Sequence, residues 1–148
     1  MTGVITISFC GVLFLFVLII LLKSRTGYNE IDEKYGKPYK AKLVKMIGGH
    51  PELKRGSMAI SLHPKDAIAF NHKVFLLSQI SSIKIISQLP EKFKNGRQVA
   101  VNSGVEEQYL YIAVTDEYGE HEVVFTATDL KELSNQLIQK WNKYYLLI

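Results

Sequence analysis

Hydrophobic and polar positions along the chain fall into four regimes. From Val4 to Leu22 there is no charge, and fifteen of these nineteen residues are Leu, Ile, Val or Phe. As a helix rising about 1.5 Å per residue the run reaches roughly 28 Å, close to the ~30 Å hydrocarbon layer of a bilayer. Residues 1–22 are therefore expected to form a transmembrane anchor. Residues 23–38 carry Gly27, Gly36 and Pro38 without an apolar period, which predicts a polar tether. If flexible, it spans about 22 Å root-mean-square.

From Tyr39 the period becomes two, with β-branched and aromatic residues in short runs between turns, the pattern of antiparallel strands. Strands are predicted over Tyr39–Met46, Met58–Leu62, Ala67–Phe70, Val74–Leu77, Ser82–Ser87, Tyr109–Thr115 and His121–Thr126. Residues 90–108 read as an insertion in which Asn95-Gly96 signals a hairpin and Val99 and Val101 alternate as an extra strand. The last regime is helical: Leu130, Leu133, Leu137, Trp141 and Tyr144 fall at spacings of three and four. Asp129 followed by Glu132 predicts a variant of the capping box at the start of that helix.

Composition changes this picture in two places. The only cysteine, Cys10, lies in the apolar run, so neither an intrachain disulfide nor a thiolate metal site is expected. A cleaved signal peptide would start with basic residues and have an apolar run of about 7–15 residues. Here nothing before Lys23 is basic and the run is longer, which favours a permanent anchor. Lys23 and Arg25, with Lys34, Lys37, Lys40 and Lys42 behind them, lie only on the carboxyl side of the run. The positive-inside rule then puts the amino terminus outside the cell membrane and the domain in the cytoplasm.

The element order, seven strands and a helix, resembles bacterial PH-like and GRAM-like domains over about residues 39–145. The likeness rests on Gly48-Gly49-His50-Pro51, Ile60-Ser61-Leu62 with Ala67-Ile68-Ala69-Phe70, Ile80-Ser81-Ser82-Ile83, and Trp141. The resemblance implies a mainly β fold with one C-terminal α-helix: a PH-like barrel of two near-orthogonal antiparallel sheets capped by the helix, spanning residues 39–148. It also implies a binding and localisation module rather than an enzyme.

Charge suggests where such a module binds. Residues 23–65 hold ten Lys or Arg against four acids, and residues 66–148 eight against ten. Lys37, Lys40, Lys42, Lys45, Lys54 and Arg55 are the candidate contacts for anionic lipid or a protein partner, each worth about 1 kcal/mol where it meets an anionic surface. An ordinary solvated face is the simpler account of the same lysines. No nucleophile elbow, P-loop or metal-ligand spacing is present around His50, His63, His72 or His121, so no catalytic, cofactor-binding or metal-ligating residue is expected. Nucleic-acid binding is not expected either, because no aromatic-basic motif accompanies the charge. The expected function is a membrane-anchored cytoplasmic module that docks a protein partner or the lipid surface. The alternative is a structural subunit of a membrane complex assembled partly through its spanning helix.

Overall fold

The computed structural model describes residues 2–94 and 107–147. Its first element, α1 (Thr2–Tyr35), is a single helix of 34 residues, about 51 Å long at 1.5 Å per residue. Every side chain from Val12 to Leu22 is exposed, Phe14 to 70 %, and a continuous apolar surface of that kind marks a site meant for apolar surroundings. By length and composition the helix is compatible with a single membrane span or a signal sequence.

The irregular tether expected for residues 23–38 is replaced by helix as far as Tyr35. One glycine inside a helix costs only about 1 kcal/mol, and tertiary packing offsets that cost, since Ile31 is buried. The helix stops where Gly36 takes φ +83°, a left-handed conformation that favours glycine and ends helices.

Seven strands follow: β1 (Lys40–Gly48), β2 (Gly56–His63), β3 (Ala67–Phe70), β4 (Lys73–Leu76), β5 (Ile80–Ile86), β6 (Tyr109–Asp116) and β7 (Gly119–Thr126). They form one antiparallel sheet in the order β4-β3-β2-β1-β7-β6-β5. The seven predicted strands are found within two residues of their expected ends, but they do not make a closed barrel of two sheets. β4 and β5 remain the two edges of one sheet.

That sheet is nevertheless curled. Flat, seven strands spaced about 4.8 Å apart would separate the edges by about 29 Å. Yet β4 and β5 are joined only by a 3₁₀ turn, Leu77–Gln79, and the four residue steps from Leu76 to Ile80 reach at most about 14 Å. The edges must therefore approach at this corner, where Leu77 is fully buried and its N–H donates to Asp66 O at 2.9 Å. Inside the curl lies the main core, with Phe70 edge-on to Phe75 and Phe125 at 5.9 and 5.3 Å.

A helix plugs one mouth of the curl. α3 (Leu130–Leu146) buries Leu130, Leu133 and Leu137 and packs Trp141 and Tyr144 against the core, which is the predicted stripe. Trp141 Nε1–H and Tyr145 O–H both donate to Ile80 O, at 3.0 and 3.1 Å, and so pin the start of edge strand β5. The expected capping box does not form: Asp129 makes no side-chain bond to the helix start. Its carboxylate and that of Glu132 turn instead to Lys40 and Lys42 on β1.

A second, smaller cluster sits on the outer face of the sheet. β1 is bulged between Met46 and Gly48 where it pairs with β7, which turns Ile47 outward. There a short helix, α2 (Glu91–Lys94), lays Phe93 over Ile47 and Val124. The start of the predicted insertion thus packs back on the sheet; its Asn95-Gly96 hairpin and the alternating Val99 and Val101 lie outside the described residues.

Candidate functional site

The strand register brings three turns to the mouth opposite α3: the β1–β2 loop, the Asn71-His72 turn between β3 and β4, and the β6–β7 turn. The β1–β2 loop is drawn tight against β7. Gly49, at φ +126°, passes so close that a Cβ there would stand 1.8 Å from Glu122 O. This approach seats His50, whose side chain is completely buried, beside Asp116, whose side chain is only 4 % exposed.

His50 Nε2 lies 2.8 Å from Asp116 Oδ2, and the Glu52 backbone N–H donates to His50 Nδ1 at 3.1 Å. Since Nδ1 accepts, the hydrogen-bond pattern assigns the proton to Nε2, which donates to Asp116. Lys73, reaching over from edge strand β4, contacts Asp116 Oδ2 at 3.1 Å and Glu52 at 2.6 Å. Burial on its own would raise the Asp116 carboxyl, but hydrogen bonds from the Tyr118 N–H, His50 and Lys73 outweigh it and hold it down at about 2. Burial likewise opposes the charge on Lys73, and its contacts with Glu52 and Asp116 push its value up on balance. The network joins β4 to the β6–β7 turn, so two distant parts of an open sheet are tied by charge where no backbone ladder joins them.

His121 completes a cluster in which one ligand atom each from His50, Asp116 and His121 lie within 4.8 Å of one another. Spacing along the chain gave no sign of it, because the three residues come from the β1–β2 loop, the end of β6 and the start of β7. The donor pattern does not suit a metal ion. His50 Nε2 carries the proton that Asp116 accepts, its Nδ1 is taken by the Glu52 N–H, and the Lys73 ammonium already neutralises the same Asp116 oxygen. A cation would have to displace all three interactions. The cluster is a hydrogen-bonded tie of the kind that fixes loop geometry.

The six basic residues named from sequence do not share one surface. Lys40 pairs with Glu132 at 3.0 Å, and Lys42 with Asp129 and Glu132 at 3.2 and 3.1 Å. The hydrogen bond from Lys40, then that from Lys42, holds the Glu132 carboxyl down at about 2. Both lysines are thus neutralised by the start of α3. Lys37 is exposed beyond the end of α1. Lys45 is exposed within β1, opposite Ser57 of β2, and Lys54 and Arg55 are exposed in the β1–β2 loop that joins the mouth formed by the three turns.

α1 determines which way that mouth faces. Tyr28 meets the His72 ring at 4.5 Å, and a Cβ on Gly27 would press on His72 Nδ1 at 2.9 Å. Eight residues further on, Lys65 N–H donates to Tyr35 O at 3.2 Å. His63, buried to 1 % exposure, donates from Nδ1 to Gly36 O at 2.7 Å and accepts from Ser61 Oγ at 2.9 Å. The helix therefore runs along the sheet from the β3–β4 turn to the β2–β3 turn. The mouth with Lys54 and Arg55 points back along α1 toward its apolar part, and His72 lies about 9 Å beyond Leu22. His63 and His72, left without a role by sequence spacing, help dock the helix together with Lys65.

Comparison with protein-family models, with curated proteins and with solved structures finds no match for this chain.

Proposed function

We propose that this chain is a membrane-anchored binding module in which α1 is both anchor and rigid arm, holding a PH-like domain with its three-turn mouth against the anionic face of the bilayer. The observation that carries this reading is the docking of residues 27–35 of α1, with Gly36 just after it, along the sheet. A flexible tether would leave the domain's orientation open, whereas a docked helix commits one mouth to the membrane side. The strand order and the terminal helix support the PH-like resemblance, and the excess of basic residues after Leu22 supports a cytoplasmic domain. Within this reading Lys45, Lys54 and Arg55 meet the lipid headgroups, while Lys40 and Lys42 serve the fold.

The test is hydrogen exchange of the full chain in nanodiscs of phosphatidylcholine alone or mixed with phosphatidylserine. The β1–β2 loop should be protected by the anionic lipid, and the paired substitution Lys54→Glu and Arg55→Glu should abolish that protection. At about 1 kcal/mol per basic residue near an anionic surface, removing two contacts weakens the association roughly thirtyfold, and reversing their sign weakens it further. Equal exchange of the loop in both lipids would overturn the lipid contact. Release of the chain from membranes by alkaline carbonate would overturn the anchor.

A further inference from the structure

Four lysines among the described residues are partly withdrawn from solvent: Lys40, Lys42, Lys73 and Lys140. The first three each have a carboxylate within 3.1 Å. Lys140 has none at ion-pairing distance among the described residues. Its ammonium donates to His63 O at 2.5 Å and stands 5.5 Å over the Tyr39 ring, so it keeps a carbonyl and a ring face but no counter-charge. Burial pushes its value down, with the more distant Asp66 acting the other way. A half-buried cation left in this state gains when an anion is brought to it, because the desolvation is already largely made.

Lys140 lines an open groove of about 750 Å³ between the carboxyl-terminal half of α3 and the β2–β3 turn. The lining combines Lys140 and Lys143 with Tyr39, Pro64, Tyr144 and Leu147, and Asp66 is its one acidic side chain. Tyr39 and Leu147 are exposed to 59 % and 78 %. Gln136 and Gln139 add amide groups able to bond a peptide backbone. A groove of this size exceeds what a single small anion fills and matches a few side chains of a peptide.

The position of the groove separates a protein ligand from a lipid one. Pro64 packs on Gly36 at the far end of α1, about 20 Å along the helix from Leu22. That is more than twice the ~8 Å over which surface charge is felt at physiological salt. On the reading that α1 spans a bilayer, the groove lies away from the headgroups and open to soluble proteins. We propose that it docks an acidic segment of a partner protein, a carboxylate pairing with Lys140 and Lys143 while an adjacent apolar side chain lies against Tyr144 and Leu147.

The full chain in phosphatidylcholine nanodiscs can be panned against a display library of random decapeptides, and the enriched sequences measured as synthetic peptides by fluorescence anisotropy. The expected result is enrichment of Asp or Glu next to apolar or aromatic residues, with binding weakened at least about tenfold by Lys140→Ala and by Lys143→Glu and largely kept by Lys140→Arg. Lys143 is exposed and makes no ion pair among the described residues, so Lys143→Glu keeps the test valid if Lys140→Ala unfolds. Absence of acidic enrichment, or peptides that bind Lys143→Glu as tightly as the wild type, would overturn the proposal. Displacement of the peptides by phosphatidylserine in the nanodisc would assign the groove to lipid instead. Lys54→Glu with Arg55→Glu should leave peptide binding unchanged, which keeps failure of this proposal distinct from failure of the lipid contact.

Discussion

The two mouths of the curled sheet use the same kinds of charge in opposite ways. At the three-turn mouth Asp116 and His50 are removed from water and Lys73 is largely so. At the helix mouth Lys40, Lys42, Asp129 and Glu132 form a pairing set whose acids remain more than half exposed. Exposed pairs are screened and contribute little, while a buried partner that loses its counterpart is costly. The polar residues that matter most to stability should therefore lie at the end where no helix closes the sheet.

The most severe disruption expected is Gly49→Ala. The added Cβ would have to stand 1.8 Å from Glu122 O, at a φ that side chains avoid, so the loop must leave β7 and carry His50 with it. A cost of about 4 kcal/mol or more is expected from combined overlap and backbone strain, read as the midpoint of urea unfolding. A near-native midpoint would mean that the tight approach is dispensable. Next in size is Asp116→Ala, which leaves the buried His50 without its acceptor and Lys73 with only the more exposed Glu52 and Glu117, at about 3 kcal/mol.

Acid sharpens the contrast between the mouths. The Asp116 carboxyl sits at about 2 in the fold against an ordinary 3.8. Its contribution is thus complete above about pH 4 and is lost as pH falls toward 2. Unfolding midpoints of the wild type and of Asp116→Asn should converge over that interval. Glu132 is lowered to about 2 as well, but it is an exposed group. Its part of the acid sensitivity should fade in about 0.5 M salt, where the Debye length falls to roughly 4 Å, while that of Asp116 persists.

What was legible in the sequence follows the same division between local and non-local physics. Alternation placed Leu110, Ile112 and Val114 on one buried face, and the three-four spacing placed Leu133 and Leu137 under α3, because each pattern is written within one element. The continuation of α1 to Tyr35 was hidden. Residues 23–35 have no apolar stripe, and the helix is held by contacts with His63, Lys65 and His72, which lie 27 to 44 residues away. Asp129 and Glu132 matched a cap motif, yet β1 supplied better partners. The cluster of His50 with Asp116 depends on a register that no spacing encodes.

The smallest expected effect lies at the helix mouth. Trp141→Phe removes the indole N–H that donates to Ile80 O but keeps an aromatic ring in the apolar stripe. Ile80 O would still accept from the Tyr145 hydroxyl at 3.1 Å, so no buried carbonyl is orphaned, and the loss should stay below about 1 kcal/mol. Tyr145→Phe alone should be equally mild for the same reason. Together the two changes should cost more than their sum, because only then does the carbonyl at the start of edge strand β5 lose both donors. Strict additivity in a double-mutant cycle would mean that one of the two bonds does not form in solution, and that α3 holds the edge by apolar packing alone.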